Sequence, residues 1–275
     1  MKRKIISDSS ADKFELSRME ISTVPLTIHA GEASFRDDET LDVGEMVRYL
    51  RGYKGKSSTA CPSAGDFLEA FGDAEEVFCL TITSKLSGSY QSACIAKEEY
   101  EAKHPGRRVY VVDSLSTGPE MRLLAEKLEA LTLEGKSFEE TVAEIQSYGR
   151  RTQLLFMLES LKNLANNGRV SHAVAKITGL LGIRLVGKAD EGVLCPLDKC
   201  RGLKKALDAM VARMKELGYR GGKVHIAHCF HPEAACALLE RLRQEFRNLC
   251  AEIYATGGLC SFYAERGGLL VGFET

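Results

Sequence analysis

The sequence lacks any marked excess of one charge. Its 275 residues carry 37 Lys and Arg against 38 Asp and Glu, a net charge of −1. That balance excludes a broadly basic footprint, so no nucleic-acid partner is expected. No apolar run approaches the ~20 residues that span a bilayer. The longest candidate, around residues 179–187, is broken by Arg184. After Lys2-Arg3-Lys4 only Ile5 and Ile6 are apolar before Ser7 and Asp8, too few for a signal peptide. A cytoplasmic protein without stable membrane insertion is expected. The nine cysteines form no CxxC pair and no common zinc spacing. Most of them read as reduced, buried, small hydrophobes. A P-loop, a GxGxxG after a strand, an HExxH and a GxSxG elbow are also missing, so no catalytic residue is assigned.

What is present is an ordinary globular composition, 44% hydrophobic and 27% charged. The first half alternates strands and helices. Strands are expected at residues 4–7, 21–28, 77–83 and 109–113. Helices are expected at 41–50 with Thr40 as cap, after Ser63 to Phe71, at 87–103 and at 117–131. Short connections in that alternation imply a parallel sheet. Ser137 and Glu140 stand in capping-box spacing before another helix. The pattern then changes. A strand at 154–158, short helices at 161–165 and 173–180, and a hairpin of 183–188 with 192–196 come next. Leu203, Ala206, Leu207, Met210, Val211, Met214 and Leu217 form one helical stripe. Strands at 223–228, 249–255 and 269–273 flank a helix at 231–246. The expected fold is α/β in two domains: an N-terminal Rossmann-like parallel-sheet domain over residues 1–150, and a C-terminal α/β domain with a mixed sheet over 151–275.

Hydroxyl residues cluster where the first sheet's strands should end. The clusters are Ser7 to Ser10, Ser57 to Thr59 with Ser63, Ser84 to Ser89, and Ser114 to Thr117. Open parallel sheets bind ligands beyond their carboxyl ends, where helix-start N–H groups also point. Each cluster alone reads as a helix cap. Together they suggest a pocket for a small anion such as a carboxylate or phosphate. His225 and His228 point to opposite faces of one strand. No carboxylate completes a set with them in the sequence, so no metal site is assigned. Arg169 and Arg201 open basic clusters that read as solvated faces or as a docking or phosphate-facing surface.

Ile6-Ser7-Asp8-Ser9-Ser10-Ala11-Asp12 resembles the opening "TDS(T/S)xD" of DegV-family proteins. Thr59-Ala60-Cys61-Pro62-Ser63 lies where that family has "TSQPS". Leu86-Ser87-Gly88-Ser89-Tyr90-Gln91-Ser92-Ala93 resembles its "LSGTYQSA", the most specific stretch. Val111-Val112-Asp113-Ser114 resembles "xxDS". Leu161 to Leu164 with Gly168-Arg169-Val170-Ser171 resembles "LxxLxxxGRIS", and Arg201-Gly202-Leu203-Lys204-Lys205-Ala206 resembles "RTxKKA". The matches keep their order over nearly the whole chain.

The resemblance implies a two-domain α/β protein that holds one long-chain fatty acid between its domains, with no other cofactor. It also implies a partner, since the family includes the binding subunits of bacterial fatty acid kinase. There the carboxylate is presented to a separate ATP-dependent kinase, which makes an acyl phosphate for phospholipid synthesis. A sixteen-carbon tail contributes roughly 11 kcal/mol in gross burial at about 0.8 kcal/mol per CH₂. It therefore needs a dry tunnel, and its carboxylate needs donors. Ser58, Thr59, Ser87 and Ser89 are the expected neutral donors, with Gly88 allowing close backbone approach. Arg169 and Arg201 are expected to face a partner or a phosphate. Two departures from the family pattern stand out. Ala60-Cys61 replaces Ser-Gln, and Tyr263 stands where a His is usual in "GxxxGxHxGxGxxG", with Glu265-Arg266 replacing part of the glycine-rich loop. Tyr263 can donate through its hydroxyl but carries no charge at neutral pH. The alternatives are a carrier of a different amphiphile and a serine-dependent acyl hydrolase using residues 84–92.

Overall fold

The structure, a computed structural model, describes residues 2–176 and 182–275. The first part of the chain runs through β1 (Arg3–Asp8), β2 (Ile21–Val24), β3 (Thr27–Ala30), β4 (Ala33–Arg36), α1 (Val43–Gly52), β5 (Ser57–Ala60), α2 (Ala64–Phe71), β6 (Glu76–Thr81), α3 (Ser89–Lys103), β7 (Arg108–Asp113), α4 (Pro119–Leu133) and α5 (Phe138–Gly149). The second part runs through β8 (Thr152–Leu158), α6 (Lys162–Asn166), α7 (His172–Ala175), β9 (Ile183–Asp190), β10 (Val193–Arg201), α8 (Leu203–Glu216), β11 (Gly222–His228), α9 (Pro232–Glu245), β12 (Leu249–Ala255), α10 (Gly258–Ala264) and β13 (Leu269–Glu274).

The first sheet is parallel throughout, in the order β2-β1-β6-β7. Both faces are covered, so its strands read as continuous apolar runs. Ile6, Val77 and Cys79 face Phe67, Phe71, Ala93 and Ala96 of α2 and α3. Ile5, Phe78 and Leu80 face the other way, against Met121, Leu124 and Leu128 of α4. Buried Glu76 accepts from Arg3 Nε at 2.8 Å and also pairs with Arg108.

The second sheet has the order β10-β9-β8-β13-β11-β12 and is mixed. β13 is antiparallel to both β8 and β11, whereas β11 and β12 run parallel. One face, with Leu155, Met157, Val224 and Ile226, packs on the methionine stripe of α8 and on Leu238 of α9. α4 lies between the two sheets, touching β1 and β6 on one side and β8, β11 and β13 on the other. Its approach is close enough that a Cβ at Gly272 of β13 would stand 2.5 Å from the Glu120 backbone nitrogen.

Several expectations need correction. Residues 21–28 do not form one strand. β2 joins the parallel sheet, and β3 leaves it for a third, antiparallel sheet, β4-β3-β5. Pro25, which has no N–H to give a ladder, separates them. Asp42 rather than Thr40 caps α1, accepting from Glu45 N at 2.9 Å, while Thr40 bonds Asp38. The hydroxyls 57–59 lie on β5 of the third sheet rather than at an end of the first. The expected helix at 173–180 is α7 over His172–Ala175 in its described part. Residues 177–181 of that helix and of the apolar run lie outside the described residues.

Burial holds four carboxyls above their ordinary range. Asp8 rises to about 6, and Asp12 and Glu120 to about 7. Asp37 is raised as well, burial outweighing its donors. A raised carboxyl binds more protons folded than unfolded, so its contribution is full at low pH and is lost as pH rises through the folded value. His228, lowered by burial, works the other way, but one half-buried imidazole is outnumbered. Stability is therefore expected to fall from pH 5 to pH 8. Urea midpoints at the two pH values test this, and Asp12→Asn should flatten the slope.

Candidate functional site

A mostly apolar cavity lies where the third sheet, the carboxyl ends of the parallel sheet and the free face of the second sheet meet. Its walls are mostly aliphatic. Ile82 and Leu86 come from the loop after β6, Leu154, Phe156 and Leu158 from alternate positions of β8, and Leu270 from β13. The described polar lining consists of Thr59, Ser87, Thr117, Arg169, Cys260 and Tyr263.

Thr59 and Tyr263, 204 positions apart, share a hydrogen bond of 2.7 Å between Oγ1 and Oη. β5 fixes the first, paired through the Ile28↔Thr59 register. α10 fixes the second. The start of α10 is held by two buried carboxylates from the first part of the chain. Asp12 accepts from Gly257 N at 2.7 Å, and Asp37 accepts from Gly258 N and Leu259 N at 2.8 Å each. Neither aspartate was expected to hold the site, because nothing in the sequence links residue 37 to residue 258. α10 itself was missed, since its glycine-flanked sequence carries no side-chain cap. Just after it, Glu265 sits at φ 53°, a glycine-favouring conformation where the family pattern has glycines. Its carboxylate repays this by accepting from Ser160 Oγ at 2.8 Å and Asn163 N at 3.1 Å.

Arg169 is half-buried. It lines the cavity, with Nε donating to Leu86 O at 3.1 Å, a second bond to Asn167 O, and its guanidinium 6.0 Å from the Tyr263 ring centre. The cavity lining therefore holds a cation beside the neutral donors that were expected. Burial pushes the Tyr263 hydroxyl up, against the opposing influence of Thr59 and Arg169, so it stays a neutral donor.

The other expected residues divide. Ser87 lines the cavity and shares a 3.1 Å bond with Ser89 Oγ. Ser89 is fully buried behind it, beside Asp8. Gly88 starts α3, where a Cβ would meet Cys61 Sγ at 3.0 Å. Ser58 is exposed on the opposite side of β5 from Thr59, and Arg201 is exposed at the end of β10. Neither lines the cavity. Ser58→Ala is accordingly expected to leave ligand affinity within about twofold, as a surface change away from packed features does. A titration checks this.

The reading of His225 also changes. Register places it beside Glu252, and its Nε2 is 3.0 Å from Glu126 Oε1. Carboxylates do approach it. They are already matched by cations, Lys223 Nζ on Glu126 at 2.8 Å and Arg122 Nη2 on Glu252 at 2.6 Å. Burial pushes the Glu126 carboxyl up, but His225 and Lys223 outweigh it and hold it at about 2. The cluster forms a charge seam between α4 and the second sheet, in which the ligand atoms of Glu126, His225 and Glu252 lie within 4.8 Å of one another. Among the described residues no helix is long and apolar enough to cross a membrane.

This geometry can enclose an apolar chain and hydrogen-bond an anionic head at one end. The chain belongs to the DegV family, whose model, described as that of an uncharacterised protein family, matches residues 2–275. A DegV domain-containing protein of Streptococcus pneumoniae is 44% identical over 276 residues, covering 98% of each chain. A solved DegV protein of Eubacterium eligens, loaded with heptadecanoic acid, superposes with a TM-score of 0.97 at 43% identity, covering 99% of each chain. The Streptococcus pneumoniae fatty acid kinase B3 protein, loaded with linoleic acid, also gives 0.97 at 43% identity, covering 100% of this chain and 99% of that one.

Proposed function

We propose that this protein binds one long-chain fatty acid in the cavity and presents its carboxylate to a separate fatty acid kinase, without catalysing a reaction itself. The observation that carries the reading is the convergence of Thr59, Tyr263 and Arg169 at one end of an apolar cavity. The relatives loaded with heptadecanoic and linoleic acids support it, and the fatty acid kinase B3 protein supports the kinase partner. Against the hydrolase reading, Ser87 pairs with Ser89 rather than with an imidazole. A cytoplasmic setting accords with nine unpaired thiols. A domain boundary near residue 150 would fall between α5 and β8, where the chain passes from the parallel to the mixed sheet.

Mass spectrometry of the denatured recombinant protein tests the reading. A co-purifying acyl chain, or saturable binding of palmitate to the stripped protein, is expected. Neither occurring would overturn it. A different amphiphile outcompeting palmitate would replace the ligand while keeping the carrier.

A further inference from the structure

We infer that the Phe156 ring, seated in the space left by Gly187, sets the length of acyl chain the cavity accepts. This rests on the fatty-acid reading above and goes beyond it to chain selectivity. β8 alternates, with Leu155 and Met157 entering the core under α8 and α9 while Leu154, Phe156 and Leu158 face the cavity. Register sets Phe156 directly between Gly187 of β9 and Leu270 of β13.

A Cβ at Gly187 would stand 2.3 Å from Phe156 Cζ and 2.5 Å from Cε2. The ring therefore lies across the β9 backbone, in the place of a side chain. Gly187 has no positive φ, so its requirement is for space and not for backbone freedom. The same notional Cβ would be 2.6 Å from Cys195 O of β10, which closes the far side of the notch. With the notch full, the ring can yield only toward the cavity.

The other cavity-facing residues of β8 are leucines, and the second aromatic ring of the described lining, Tyr263, is tied to Thr59. Phe156 is thus the large side chain whose position defines how much lumen remains. A tail fills that lumen methylene by methylene, and each one left without room weakens binding about fourfold. Moving the ring inward selects shorter chains, and shrinking it selects longer ones.

The test is a competition of tetradecanoic, hexadecanoic and octadecanoic acids for the full-length protein, read as the ratio of bound acids by native mass spectrometry. Gly187→Ala is expected to shift the ratio toward tetradecanoic acid by about fifteenfold, two methylenes' worth. Phe156→Leu is expected to shift it toward octadecanoic acid. The double variant should shift less toward tetradecanoic acid than Gly187→Ala alone, because leucine removes the ring contact and leaves only the Cys195 O contact to be relieved by β10. If Gly187→Ala does not fold, Phe156→Leu alone decides. An unchanged ratio in Phe156→Leu, or in a folded Gly187→Ala, overturns the inference while leaving fatty-acid binding intact. Wild-type protein that takes up none of the three acids would instead remove the fatty-acid reading, and this inference with it.

Discussion

Arg169→Glu is expected to abolish fatty-acid retention in a protein that still folds. The guanidinium has five N–H donors. Leu86 O and Asn167 O engage two of them, leaving others to meet a carboxylate in the cavity. Hydrogen bonds to charged groups contribute about 1.5–3 kcal/mol, so truncation to alanine should weaken binding roughly 10- to 150-fold. Glutamate does more, since it sets a like charge against the ligand's head. Titration calorimetry gives the affinity, and a melting curve shows whether the fold survives. Binding of wild-type strength in Arg169→Glu would move the carboxylate away from this end. Arg201→Glu is the contrast. That residue is exposed and outside the cavity, so lipid affinity should hold while acyl-phosphate formation by the kinase declines.

The second large effect concerns Thr59→Val. Valine keeps the β-branched shape that suits β5 and removes only the hydroxyl. The Tyr263 hydroxyl, 2.7 Å away in the wild type, loses its partner in a mostly apolar surrounding. If the Thr59 hydroxyl donates to the carboxylate, its loss removes a hydrogen bond to a charged group, about 1.5–3 kcal/mol, so affinity should drop about tenfold or more. Tyr263→Phe should cost less when Thr59→Val is already present, because the shared bond is gone. Strictly additive losses in that double-mutant cycle would mean the two hydroxyls do not act together on the ligand.

The parallel sheet was legible in the sequence because its period and its covering helices are local. Val77, Phe78, Cys79 and Leu80 read as a buried strand and are one, and Ser63 and Ser137 cap their helices as their spacing suggests. The third sheet was not legible. β3, β4 and β5 are four residues each, too short for a period to show, and β5 is mostly Ser and Thr. At the site, Thr59 and Ser87 were found as hydroxyls near expected helix starts. Tyr263 was found only as a departure from a family pattern. That Arg169 lines the cavity was not legible, because a basic residue after a short helix ordinarily points to water. Its direction is decided by Asn167, whose amide donates to Ser57 O at 3.2 Å and Asn163 O at 2.8 Å, contacts without a sequence signal.

The position of β13 also constrains the order of biosynthesis. These six residues are made after every other strand, yet they sit in the middle of the second sheet, joining β8 to β11. While they remain in the ribosomal exit channel, that sheet is two unconnected fragments and one flank of α4 is bare. Leu270 is part of the cavity wall, so a nascent chain offers no closed compartment. A closed compartment can therefore form only once β13 has left the channel and inserted between β8 and β11.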